Sequence, residues 1–153
     1  MHNSKSQLQV LVIHGPNLNM LGEREPQIYG IKKLEDINAE MTASGKKLGV
    51  LVETFQSNHE GAIVEKIQTA MGSFDGLIIN PAAYTHTSIA IRDALLLLDI
   101  PIIEVHLSNI YQRESFRRES MTAAVCTAQI TGFGPRGYII AIEAITEMVT
   151  RRG

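Results

Sequence analysis

Short apolar runs alternate along the chain with longer stretches in which apolar residues recur every three or four positions. The runs at 8–13, 50–55, 76–80 and 102–107 read as strands, and a weaker one falls at 124–131. The first is followed by the helical set Leu34, Ile37 and Met41, the second by Ile63, Ile67 and Met71, and the third by Ile91, Ala94, Leu95 and Leu98. After the fourth run the element around 114–120 is short and polar. A last helix goes from about Gly137 through Ile142, Ile145 and Val149 to Arg151 and Arg152, cations suited to a helix C-terminus. No repeat, linker or low-complexity tract interrupts the alternation, so 1–153 is expected to be a single α/β domain with 1–7 as a flexible N-terminus. Strand and helix units in this succession predict an open five-stranded parallel sheet with helices on both faces, most economically in the flavodoxin-like order 2-1-3-4-5.

In such a sheet the ligand sits beyond the carboxyl ends of the strands, where strands 1 and 3 diverge. Those ends fall at 14–17 and 80–87, and both are polar. Strands covered on both faces should be apolar throughout, yet the fourth carries Glu104 and His106, two apart and therefore on one face. There the carboxylate is able to orient or charge the imidazole; a satisfied core ion pair is the alternative. For His86 alone, a place beside a helix cap competes with a role in chemistry. The connection from 15 to about 31 is far longer than the usual roughly two to six residues, and at that edge it fits a lid. It holds Arg24 and Tyr29 between glycines, and packing of Tyr29 onto the loop is again the alternative. Arg113 and Arg117 share a helical spacing, either as a solvated face or as a grip for an anionic substrate.

Composition removes several other classes. Fourteen Lys plus Arg against sixteen Asp plus Glu leave a formal charge of −2, with no basic field to hold nucleic acid or an anionic membrane. The apolar run after the polar first seven residues stops at His14, too short for a signal-peptide core or a membrane span. The single cysteine, Cys126, builds neither an intramolecular disulfide nor a zinc site; it reads as a buried core residue and fits a reducing cytoplasm. Histidines 2, 14, 59, 86 and 106 lack metal-ligand spacing, and every lysine lies outside the apolar strands, which leaves Schiff-base chemistry without a candidate. Gly132-Phe133-Gly134-Pro135-Arg136-Gly137 spells a dinucleotide fingerprint, but no further strand or ribose-binding acid follows, and a turn before a helix explains it.

Taken together the polar segments form six ordered blocks: His-Gly-Pro-Asn-Leu-Asn at 14–19; Arg24-Glu25-Pro26 with Tyr29-Gly30; Asn-Pro-Ala-Ala-Tyr-Thr-His-Thr-Ser at 80–88; Arg92-Asp93; Glu-Val-His-Leu-Ser-Asn at 104–109; and Phe116-Arg117-Arg118. As a set they bear a resemblance to a known family, the type II 3-dehydroquinate dehydratases. It implies anti elimination of water from 3-dehydroquinate to 3-dehydroshikimate through an enolate, with neither metal nor organic cofactor. By the same implication Tyr29 is the base, with Arg24 lowering its pKa, which suits a phenol whose reference value is about 10. Asn17 holds the water that stabilises the enolate, and His106, held by Glu104, protonates the departing hydroxyl. Backbone amides of Leu107 and Ser108 bind the substrate carboxylate, and Asn80, His86 and Arg117 hold ring hydroxyls. Arg113 belongs to the rim, and Asp93 reaches in from a neighbouring subunit of a homo-oligomer, a dodecamer of four trimers. The sequence departs from the family at Ala82, glycine in some relatives, and at Tyr111-Gln112, where many have His-Ala. The competing class is a non-catalytic flavodoxin-like module that binds a small anion; Arg24, Tyr29 and His106 together argue against it.

Overall fold

The computed structural model of the protein describes residues 7–23, 26–29 and 31–152. Apart from Gln7, the expected flexible terminus therefore lies outside the described residues.

The sheet consists of β1 (Leu8–His14), β2 (Val50–Gln56), β3 (Gly76–Asn80), β4 (Ile102–His106) and β5 (Ala128–Thr131). Its order is β2-β1-β3-β4-β5 with every pair parallel, the order the hydrophobic pattern predicts. Helices α2 (Leu34–Lys47) and α5 (Arg136–Arg152) cover one face, and α3 (Glu60–Thr69) and α4 (Ile89–Leu96) the other. The strands sort their side chains accordingly. Val10, Val12, Ile78, Ile103 and Val105 meet Ile37, Met41, Tyr138, Ile142 and Ile145 on the first face. Leu11, Ile13, Leu77, Ile79 and Ile102 meet Ile63, Ile67, Ile91 and Leu95 on the second. Burial on both faces is what makes the central strands near-continuous apolar runs. It also makes any polar residue on them conspicuous.

Each helix is set by local chemistry as well as by its apolar stripe. In α2, acids Glu35 and Asp36 occupy the first turn and Lys46 and Lys47 the last, complementing the helix dipole. Gly45 lets α2 approach β2, because a Cβ there would lie 2.6 Å from Val52 Cγ2 and 2.9 Å from Val50 O. Ser88 caps α4, its hydroxyl accepting from Ile91 N at 2.9 Å.

Several boundaries differ from the pattern. β4 ends at His106 rather than 107, and β5 begins at Ala128 rather than 124, because 123–125 close a 3-10 turn. α3 stops at Thr69, so Met71 is exposed beyond it. The polar element after β4 is a pair of 3-10 turns, Ile110–Gln112 and Ser115–Arg117. Cys126 is only partly buried; its thiol donates to Thr122 O at 3.3 Å, and burial first, then the charge of Glu104, pushes it up to about 12, which leaves it unreactive. The glycine-rich segment 132–137 is a turn: Gly132 and Gly134 have positive φ, and their amides donate to His106 O and Leu107 O before α5 starts. Among the described residues no helix is long and apolar enough to cross a membrane.

Candidate active site

The carboxyl ends of β1, β3 and β4 meet around one pocket. Its walls are Pro16, Asn17 and Leu18 after β1, Asn80, Ala82, Ala83 and His86 at and after β3, and His106, Leu107, Ser108, Ile110, Arg113 and Arg117 at and after β4. The strand ends come this close because Gly15 has no side chain. Its N–H donates to Asn80 O at 2.8 Å, and a Cβ would stand 2.5 Å from Pro81 O. Asn17 then turns the chain into the pocket wall with φ 69°, a left-handed conformation asparagine tolerates, while its N–H donates to Asn58 Oδ1 at 2.9 Å. Ala82 is also left-handed, at φ 53°, a conformation in which glycine would be unstrained.

Glu104 and His106 share the face of β4 toward α4, and His106 Nε2 stands 2.6 Å from Glu104 Oε2. Glu104 is fully buried and His106 nearly so. A lone buried carboxylate is costly to ionise, and this one is surrounded by donors. Thr85 Oγ1 donates to Oε2 at 2.9 Å and Ser120 Oγ at 2.8 Å, Gln129 Nε2 approaches at 3.4 Å, and Thr122 Oγ1 donates to Oε1. Burial pushes Glu104 up, but the hydrogen bond and charge of His106, followed by the bonds from Thr122 and Ser120, outweigh it and hold the carboxyl below its ordinary value. The pair is thus an ionised carboxylate fixing an imidazole at the pocket wall, the satisfied ion pair anticipated from the sequence with its imidazole open to the pocket.

The walls carry cationic or donor groups and, among the described residues, no carboxylate. His86 is not a cap; its Nδ1 meets Glu119 O at 2.6 Å and its ring faces the pocket. Arg113 and Arg117 reach the same pocket from successive 3-10 turns rather than from one helical face. Glu114 ties them together at the rim, 3.7 Å from Arg113 Nε and 3.1 Å from Arg117 Nε, and Arg113 Nη1 donates to Ser108 Oγ at 3.2 Å. A small anion therefore meets preset positive charge in a molecule whose net charge is −2.

Of the residues expected from the sequence, Asn17, Asn80, His86, His106, Leu107, Ser108, Arg113 and Arg117 line this pocket, with Glu104 directly behind His106. Asp93 is exposed on α4, away from it. Tyr29 closes the short helix α1 (Pro26–Tyr29) in the long connection, and Arg24 lies outside the described residues. Sequence reasoning missed the hydroxyl cage of Thr85, Ser120 and Thr122; the only hint was the cluster of hydroxyl residues at 85–88 and 120–122. It also missed Tyr138, a phenol inside the apolar stripe of the last helix.

A model of the family described as "Dehydroquinase class II" matches residues 8–146. The 3-dehydroquinate dehydratase of Nitratiruptor sp. is 57% identical over 141 residues, 92% of this chain and 90% of that protein. That of Campylobacter lari is 54% identical over 141 residues, 92% and 88% of the two chains. The crystal structure of type II dehydroquinase from Butyrivibrio crossotus superposes with a TM-score of 0.90 at 50% identity, covering 92% of this chain and 99% of that one.

Proposed function

The chain belongs to the class II dehydroquinase family and dehydrates 3-dehydroquinate, and we propose how its side chains share that work. Tyr29, as a phenolate favoured by Arg24, takes the proton from the carbon beside the ketone. The electron pair moves into an enolate whose oxygen is stabilised through a water held by Asn17. His106 then gives its proton to the hydroxyl on the next carbon, the C–O bond breaks, and the enolate collapses to the conjugated enone with release of water. The substrate carboxylate is bound by the amides of Leu107 and Ser108 and by the positive walls; Asn80, His86 and Arg117 hold ring hydroxyls, and Arg113 closes the rim.

The observation that carries this reading is the buried Glu104 and His106 pair, 2.6 Å apart, opening onto a pocket with no acidic wall among the described residues. An acid catalyst for a leaving hydroxyl needs a proton that a counter-charge holds in place, and Glu104 supplies the counter-charge. Asp93, exposed on α4, acts on a neighbouring subunit's site in a dodecamer built from trimers, and the enzyme works in the cytoplasm, as its unpaired Cys126 suits.

The test follows the rise in ultraviolet absorbance as the enone forms, alongside exchange of the substrate proton with solvent. His106→Ala should lose about 10²- to 10⁴-fold in kcat yet still exchange, whereas Tyr29→Phe should lose both turnover and exchange. Normal exchange by Tyr29→Phe would remove Tyr29 as the base.

A further inference from the structure

His14, the last residue of β1, and Tyr138 on α5 are buried ionisable groups that the reaction does not use. They lie on the face of the sheet opposite Glu104. His14 Nε2 is 2.8 Å from Asn38 Oδ1, and His14 Nδ1 is 3.1 Å from Tyr138 Oη. Asn80 Nδ2, from the strand residue paired with His14 in the sheet, is 2.9 Å from the same Tyr138 Oη.

One backbone group fixes the direction of every bond in this chain. Ala82 N–H donates to Asn80 Oδ1 at 3.0 Å, and an amide N–H has no other role. Asn80 Oδ1 is thereby turned to Ala82, so Nδ2 is the group that faces Tyr138 and must donate to it. The Tyr138 proton then has His14 Nδ1 as its acceptor, and His14 Nε2–H donates to Asn38. This assigns the tautomer of His14 from its partners. Burial lowers His14 to about 4 against the opposing bond to Asn38, so the ring stays neutral and Nδ1 remains an acceptor at working pH.

We propose that Asn38, His14 and Tyr138 form a relay of fixed polarity, half-buried at Asn38 and buried beyond it, that locks the Asn80 amide with its second N–H turned to the substrate. Tyr138 is thus a positioning residue for substrate binding, although it does not line the pocket. The proposal rests on Asn80 being a substrate contact. A locked Asn80 offers a donor and not an acceptor, which selects a ring oxygen with a free lone pair at that position. Without Tyr138 Oη the amide keeps, among the described residues, its bond to Ala82 and rocks about it, so substrate and transition state lose the same contact.

Steady-state kinetics by enone absorbance on Tyr138→Phe, Asn80→Ala and the double variant test this. Tyr138→Phe should raise KM about tenfold with kcat within about twofold, and should add nothing further to KM in the Asn80→Ala background. His14→Asn, which keeps an acceptor where Nδ1 stands, should leave KM near that of the parent, whereas His14→Leu should raise it as Tyr138→Phe does. The His14 pair carries the same decision if Tyr138→Phe does not fold. A raised KM in Asn80→Ala with an unchanged KM in Tyr138→Phe, or additive effects in the double variant, overturns the relay. An unchanged KM in Asn80→Ala removes Asn80 from substrate binding and the proposal with it.

Discussion

Two isosteric substitutions around Glu104 should differ in cost although they remove the same group. Thr85 and Thr122 are both fully buried, and both hydroxyls reach the carboxylate. Among the described residues, Thr122 is the hydroxyl on Oε1, whereas Oε2 also has His106, Ser120 and Gln129. Each hydroxyl has a single proton to give. Ser120 Oγ already accepts from the amides of Thr122 and Ala123, at 3.2 and 2.9 Å, and gives its own proton to Oε2 at 2.8 Å, so the loss of Thr85 is repaired there by a donor already in place. Thr122→Val offers no such repair. It strips a buried anionic oxygen of a charge-assisted hydrogen bond, worth about 2–3 kcal/mol, whereas Thr85→Val should cost about 1 kcal/mol. For a chain of this size those figures correspond to falls in Tm of roughly 5–10 °C and 2–4 °C.

Denaturant and thermal unfolding at one fixed protein concentration measure the difference, and its pH dependence identifies the carboxylate as the cause. Glu104 is depressed in the folded state. Its contribution is therefore present above the ordinary value of 4.5 and is lost as pH falls through the folded value. Thr122→Val brings the folded value back up, so its deficit should be full at neutral pH and shrink in acid, where both proteins carry a neutral carboxyl. Equal costs for the two substitutions, or a Thr122→Val deficit unchanged at low pH, would refute the assignment of Oε1 to Thr122.

The remaining expectations are simpler. Ala82→Gly should stabilise the protein by about 0.5–1 kcal/mol, because it relieves a left-handed alanine at φ 53°; an unchanged or lower unfolding midpoint counts against strain there. His14 is lowered from 6.5 to about 4, so the unfolded chain binds a proton in that window that the folded chain refuses, and stability should fall by about 3 kcal/mol as pH drops across it. His14→Asn should remove that slope in pH-dependent unfolding; an undiminished slope would place its source elsewhere. Light scattering should give a trimer-based mass, and a monomer with full specific activity would exclude a catalytic part for Asp93 across a boundary.

How much was legible in the sequence depended on the length scale of each interaction. The strands and their order were, because 8–13, 76–80 and 102–107 are apolar runs with few polar interruptions and the helices between them keep one stripe. Glu104 and His106 stood out for the same reason, as polar residues where none is expected. The start of β5 was misplaced because 123–125 is apolar yet closes a 3-10 turn, and turns of that kind follow side-chain and backbone hydrogen bonds with no periodicity of their own. Asn109, whose Oδ1 accepts from Tyr111 N at 3.0 Å, starts another such turn, and so Arg113 and Arg117 converge without sharing a helix. The contact of His14 with Tyr138 spans 124 positions and that of Thr122 with Glu104 spans 18, separations over which a serine, threonine or tyrosine carries no local sign of its partner.

Two histidines at the ends of β1 and β4, with β3 between them, therefore sit in opposite surroundings in one fold, and those surroundings decide what each is suited to. His106 ends β4 with a carboxylate 2.6 Å away, held against burial below its ordinary value by His106 itself and then by the hydroxyls of Thr122 and Ser120, so a proton placed on its ring has a counter-charge. His14 ends β1 on the other face with an amide oxygen and a phenol as partners, and a proton there has none. The first environment suits a group that must release a proton to a leaving hydroxyl. The second suits a group whose value lies in never changing its protonation, because the direction of a hydrogen-bond chain survives only while each member keeps its role. Both networks end at the same pocket, through His106 and Asn80, so chemistry and alignment enter the site from opposite faces of the sheet and can be altered one at a time.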